Sequence, residues 1–218
     1  MKVRTAYEKG DRVRFLSHLD VARVIQITVN RAGWPVEMSQ GFSPRPRLSF
    51  YAPLPAGTAG MEEYFDAVLG SPRGLSGLAK GLSESLPQGF RVREIRGIAD
   101  QEGSLEGKIA ASVYSVDLMG VEGRELSEAL RRFLAEEKVP FDVIRPNETK
   151  TVDLRHFLLQ VGEVQDMGFG RVVVDMLVKH EEGRTARPQW ILSSLRSFGL
   201  EVDPREAIID RRKIIFGK

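Results

Sequence analysis

Between Lys2 and Ile98 the apolar residues change period from two to 3.6 and back, and the change then repeats. Side chains alternate across a strand but return every 3.6 residues on a helix, so this switching dictates an order of elements. Val3, Thr5 and Tyr7 alternate with Lys2, Arg4 and Ala6, which reads as a first strand. Ser17-His18-Leu19-Asp20 fits a capping box. Ala22, Ile25 and Val29, together with Phe15 or Leu19, then recur at helical spacing until Gly33 stops the pattern. Residues 34–51 read as extended chain broken by Gly41, Pro44 and Pro46, because proline cannot donate to a ladder. Residues 53–60 read as a loop, 62–69 as a strand, 75–86 as a helix and 90–98 as a strand. The order is βαββαβ, the split-βαβ or ferredoxin-like pattern.

The second half repeats that plan in element order, with no residue-level identity to the first. The sequence predicts a strand at 112–119 and a helix carrying Leu126, Ala129, Leu130, Phe133 and Leu134. Extended segments at 141–144 and 152–164 flank a polar turn at Pro146-Asn147-Glu148. A strand at 171–179 has a hairpin partner across Met167-Gly168, and His180 before Glu181-Glu182-Gly183 reads as a hairpin tip. A helix at 188–198 takes Pro188 in its first turn, where proline is tolerated, and 204–216 hold the last strand. The expectation is an α+β chain of two tandem ferredoxin-like domains. They span 1–99 and 111–218, joined by a polar, glycine-bearing linker at 100–110.

Composition excludes several classes. The chain has no cysteine, so disulfides, thiolate zinc sites and cysteine-held clusters are ruled out. The sequence has no signal-peptide pattern and no run near the ~20 apolar residues a membrane span needs, which predicts a soluble, cytoplasmic protein with no membrane role. No phosphate-loop, dinucleotide, zinc-protease or serine-hydrolase motif occurs, and no cofactor or metal site is expected. The net charge of +2 is unevenly spread. Residues 1–55 hold nine Lys/Arg against four Asp/Glu, a local +5 that leaves −3 for the remainder. Such asymmetry points to a local anion site.

Two segments carry that signal. In Arg14–Asp20 a helix start would offer amides to an anion and Arg14 a charged fork, with His18 placed to exchange a proton. The plain alternative is that Ser17 and Asp20 only cap the helix and His18 bonds a neighbouring loop. In Gly41-Phe42-Ser43-Pro44-Arg45-Pro46-Arg47 two prolines stiffen a loop that could clamp phosphates with its arginines and stack a base on Phe42. The alternative is a solvated edge that discourages sheet pairing. Lys9 and Arg23 complete the basic surface of the first half. Lys150 and Arg155, with Arg145 and His156 nearby, either extend it or are solvated charges.

These residues resemble a known family. Arg14–Asp20, Gly41–Phe50, the Leu54-Pro55-Ala56-Gly57 loop, Glu63–Asp66 and Asp153-Leu154-Arg155 are similar to the radical SAM-linked protein family. Its members are fused to, or encoded beside, radical SAM proteins, often near genes of RNA metabolism. The resemblance implies a radical SAM partner that carries the cluster and the radical chemistry. The early strand, loop and helix are also similar to those of CRISPR repeat-processing endonucleases, which cleave RNA without metal, often with a histidine. That likeness implies His18 as a general acid or base, with Gly168-Phe169-Gly170 as the nearest counterpart of their glycine-rich loop.

Three readings follow. The first is an accessory protein that presents RNA, such as tRNA or rRNA, to a separate radical SAM enzyme. Its binding residues would be Lys9, Arg14, Ser17, His18, Arg23, Phe42, Arg45, Arg47, Lys150 and Arg155. The second is a metal-independent RNA endonuclease using His18. The third is a protein-binding subunit of a radical SAM enzyme with no nucleic acid. The RNA reading requires Arg14, Arg45 and Arg47 to converge beside the start of the first helix.

Overall fold

The structure, a computed structural model, describes residues 1–99, 102–145 and 148–217. The Pro146-Asn147 turn and the first two residues of the expected linker lie outside the described residues. The chain is α+β and forms two compact units, Met1–Glu106 and Gly107–Lys218.

In the first unit β1 (Lys2–Lys9), α1 (His18–Arg31), β2 (Leu48–Tyr51), β3 (Thr58–Val68), α2 (Leu75–Ser85) and β4 (Phe90–Ile98) follow in that order. The strands pair antiparallel in the order β2-β3-β1-β4. Val21, Ile25 and Val29 of α1 and Leu78 and Leu82 of α2 pack with Val3, Tyr7, Phe65 and Ala67 in one core. The capping box at Ser17 forms as the sequence predicts: its Oγ accepts from the Asp20 amide at 3.3 Å and the Asp20 carboxylate accepts from the Ser17 amide at 3.2 Å.

Three expectations about this unit change. The alternation in β1 does not separate inside from outside, because the strand is central and Val3 to Tyr7 are all buried. Arg4 is buried with them, and its guanidinium donates to Asp66, Glu102 and the Gly103 carbonyl. Second, β3 begins at Thr58 inside the expected loop, since Gly60 continues the ladder opposite Lys9 past a bulge. Third, Phe15 and Leu19 lie outside the core face of α1, which runs through Val21, Ile25, Thr28 and Val29.

In the second unit β5 (Ile109–Met119), α3 (Gly123–Ala135), β6 (Pro140–Arg145), β7 (Glu148–Asp153), α4 (Leu154–Phe157), β8 (Leu158–Val161), β9 (Gln165–Asp166), β10 (Arg171–Glu181), β11 (Arg184–Thr185), α5 (Pro188–Ser194) and β12 (Ile208–Phe216) succeed one another. β5 pairs antiparallel with β10 and β12, and β8, β9 and β11 pair with β10. β6 and β7 form a separate two-stranded ribbon. The segment 152–164 is not continuously extended: the Asp153 carboxylate accepts from the Arg155 amide at 3.1 Å and starts the helical turn α4. α5 is shorter than expected and passes at Leu195 into a 3₁₀ turn that ends on left-handed Gly199. The hairpin tip falls at Glu182-Gly183, while the His180 imidazole points inward, 2.9 Å from Ser112 Oγ. Among the described residues no helix is long and apolar enough to cross a membrane. No cluster of three or more His, Asp or Glu side chains among them could hold a metal ion.

Candidate functional site

The residues expected to form one basic pocket occupy both ends of β3. The Arg14 carbonyl accepts from the Gly57 amide, just before β3 begins, whereas the Arg47 carbonyl accepts from Val68, where β3 ends. Eleven strand residues separate these points by about 30 Å. Arg14, Arg45 and Arg47 therefore do not converge.

At the first end the cations are structural. Lys9 is 2% exposed, and its ammonium donates to the carbonyls of Arg14, Leu16 and Thr58 at 2.8, 2.9 and 3.0 Å. Buried Arg14 donates to the Gly57 carbonyl at 3.2 Å and to Asp11 Oδ1 at 2.6 Å. Together they fasten the approach to α1 against the 57–58 loop. Ser17 is committed to its cap, and its hydrogen bonds hold the Asp20 carboxyl below the usual range, with the Arg23 charge adding a smaller push. The half-buried His18 imidazole meets Phe50 edge-on, with ring centres 5.7 Å apart. Burial pushes its pKa down, which favours the neutral imidazole. It borders a small recess shared with Tyr7, Lys9, Phe50, Tyr51 and Glu63.

At the other end residues 37–47 form a tight hairpin-like excursion. Met38 bridges Pro46, Ser39 donates to the Arg45 carbonyl at 2.8 Å, and the Arg45 amide donates to Ser39 Oγ at 3.0 Å. Arg47 is neutralised by Glu37 at 2.5 Å. Arg45 is exposed with no carboxylate partner among the described residues, and Phe42 is fully exposed. In the second unit Arg155 is also structural: it donates to the carbonyls of Leu134 and Leu158 at 3.1 and 3.0 Å, closing the end of α3. Lys150 is exposed on β7.

The sequence reading missed an apolar ridge. Phe15, Leu19 and Ile27 are 77%, 75% and 51% exposed, with exposed Arg23 between the last two. Residues 19, 23 and 27 are four apart, so they line one helix face over about 12 Å, opposite the core face. The signal was available, since α1 carries apolar residues on two faces and one face suffices to pack a surface helix.

These features define a class: a two-unit α+β protein whose buried cations hold its own backbone and whose first helix exposes large apolar side chains. The particular family follows from comparison. The model for the family described as uncharacterized protein conserved in bacteria (DUF2344) matches residues 2–188, and the chain belongs to that family. A comparison with curated proteins returns no match.

Proposed function

We propose that this chain is a protein-binding accessory subunit that docks on a partner through Phe15, Leu19 and Ile27. The exposure of Leu19 and Ile27 on one face of a firmly capped helix, with Phe15 exposed in the turn before it, carries the reading. Large apolar side chains lined up on one face gain little in water and much in an interface. The resemblance to radical SAM-linked proteins supports a radical SAM enzyme as the partner, with the radical chemistry held there. The test is co-purification of the chain from its own cells, with radical SAM proteins sought among the partners recovered. Leu19→Glu and Ile27→Glu are each expected to weaken the complex roughly tenfold or more while leaving circular dichroism unchanged. Undiminished binding by the double variant would overturn the proposal.

An RNA-presenting role is a second reading, supported by unpaired Arg45 close to exposed Phe42 on a tied-down excursion. It rests on those two residues and Arg23, and no longer on Lys9, Arg14 or Arg47. Filter binding of bulk tRNA and rRNA fragments against rising salt tests it, because phosphate contacts demand a steep fall in affinity. The cleavage reading draws less support, since the His18 imidazole packs edge-on against Phe50 and is half-buried. We further infer that each unit is a variant of the ferredoxin-like fold. The strand order β2-β3-β1-β4 with both helices in one core supports this in the first unit, and the β10-β5-β12 arrangement supports it in the second.

A further inference from the structure

A second docking element, independent of the α1 ridge, stands at one end of the second unit's sheet. Between β9 and β10 the chain turns through Met167-Gly168-Phe169-Gly170. Three successive residues are left-handed, with φ of 81° at Gly168, 54° at Phe169 and 69° at Gly170. Glycine adopts this region freely, but a bulky side chain there costs stability. The turn is nevertheless tightly held. Gly168 donates to Asp166 Oδ1 at 2.8 Å, Arg171 to the Gly168 carbonyl at 3.0 Å, and Gly120 to the Gly170 carbonyl at 2.7 Å. The Phe169 ring is fully exposed, so no packing inside the unit offsets its strain. Met167 beside it and Met119 at the end of β5, opposite Arg171, are more than half exposed.

The charges around this tip select its partner. Segments 117–125 and 163–171 carry five acids (Asp117, Glu122, Glu125, Glu163 and Asp166) against two arginines. One of those arginines, Arg171, is already paired with Asp117 at 2.6 Å. Glu122 follows Val121, whose amide points to the Gly170 carbonyl, and a Cβ on Gly123 would lie 3.9 Å from that of Asp166. Glu122 and Asp166 therefore stand beside the apolar tip, within segments whose net charge is negative. Negative charge there repels RNA and anionic lipid and favours a basic protein surface.

We propose that Phe169, with Met167 and Met119, is an aromatic anchor that inserts into an apolar pocket with a basic rim on a partner protein. The strain at Phe169 is retained because the rigid turn presents the ring ready-placed for binding.

The test places a photo-crosslinking benzoylphenylalanine at position 169 of the full chain in its own cells, with the same substitution at exposed Ile144 as control. The expected result is one protein crosslinked from 169 and not from 144, through a peptide rich in apolar residues and lysine or arginine. Its yield should fall at least fivefold when Glu122 is changed to Lys. Phe169→Gly should abolish binding of that purified protein while leaving Tm equal or higher, which separates lost recognition from lost folding. Equal yields at both positions, crosslinks confined to RNA or lipid, or a yield indifferent to charge reversal would each overturn the assignment.

Discussion

The Lys9 ammonium lies 2.8 Å from the Arg14 carbonyl oxygen, with its charge turned into the protein. A residue that looks in sequence like a surface cation is a clamp that joins the end of β1, the approach to α1 and the start of β3. Lys9→Met keeps the length of the stem and removes a donor from three carbonyls, of which that of Arg14 keeps its bond from the Gly57 amide. An unsatisfied buried acceptor costs about 1–3 kcal/mol. Urea denaturation should therefore show a loss of at least about 1 kcal/mol, with α1 less protected in hydrogen exchange. Arg45→Ala, on the exposed excursion, should change stability by less than about 0.5 kcal/mol.

Gly60 and Gly77 separate two reasons for glycine. A Cβ on Gly60 would fall 2.3 Å from Glu63 Oε1 and 2.6 Å from Leu54 Cδ1, so Gly60→Ala forces a buried carboxylate and a packed leucine to move. Overpacking of this kind costs about 1–3 kcal/mol. Gly77, inside α2, has nothing within 4 Å of the same position. Gly77→Ala should stabilise by up to about 1 kcal/mol through helix propensity. Thermal melts of the two variants should move in opposite directions.

The parts of the fold legible in the sequence were those fixed by local periodicity and capping. α1 begins at the Ser17 box, α2 follows its leucine stripe, and β4 spans the residues the alternation assigns. Long-range pairing was not legible. Neither the bulge that carries β3 back to Thr58 nor the burial of Arg4 between Asp66 and Glu102 leaves a local mark, because each depends on residues about 50 to 100 positions away. The candidate site failed for the same reason. Arg45 and Arg47 are close in sequence but lie far along the chain from Arg14, and β3 separates them from it. The ridge was missed because Leu19 was assigned to the core stripe when Val21 already filled it.

Ser17 gives a direct test of the cap that fixes the start of α1 and the bearing of the ridge. Its hydroxyl donates to Asp20 Oδ2 at 2.6 Å and accepts from the Asp20 amide. Ser17→Ala removes both contacts and should cost about 1 kcal/mol, whereas Ser17→Gly should cost less because glycine leaves the end open to water. Chemical denaturation of the two variants checks the order. A docking role for Leu19 also predicts weaker partner binding by Ser17→Ala, since Leu19 sits in the first turn that would fray.

His180 should give the second unit an acid-sensitive component. Burial, and to a lesser degree the Arg211 charge, push its pKa down from 6.5 to about 4. The folded state thus resists a proton that the unfolded chain accepts from about pH 6.5 downward. The contribution is complete above pH 6.5, falls as the pH drops to 4, and is constant below that. A shift of this size corresponds to at most about 3 kcal/mol, reduced by whatever hydration the ring retains. Glu181 and Asp203, held near 2 by Lys179 and Arg205 respectively, lose their contributions in a lower window, from the ordinary carboxyl range down to pH 2. Urea titrations at pH 7 and 4.5 should show the loss in the wild type and a smaller one in His180→Gln, which has no imidazole to protonate. Equal pH dependence in the two proteins would mean that the ring takes up its proton as readily in the folded state as in the unfolded chain.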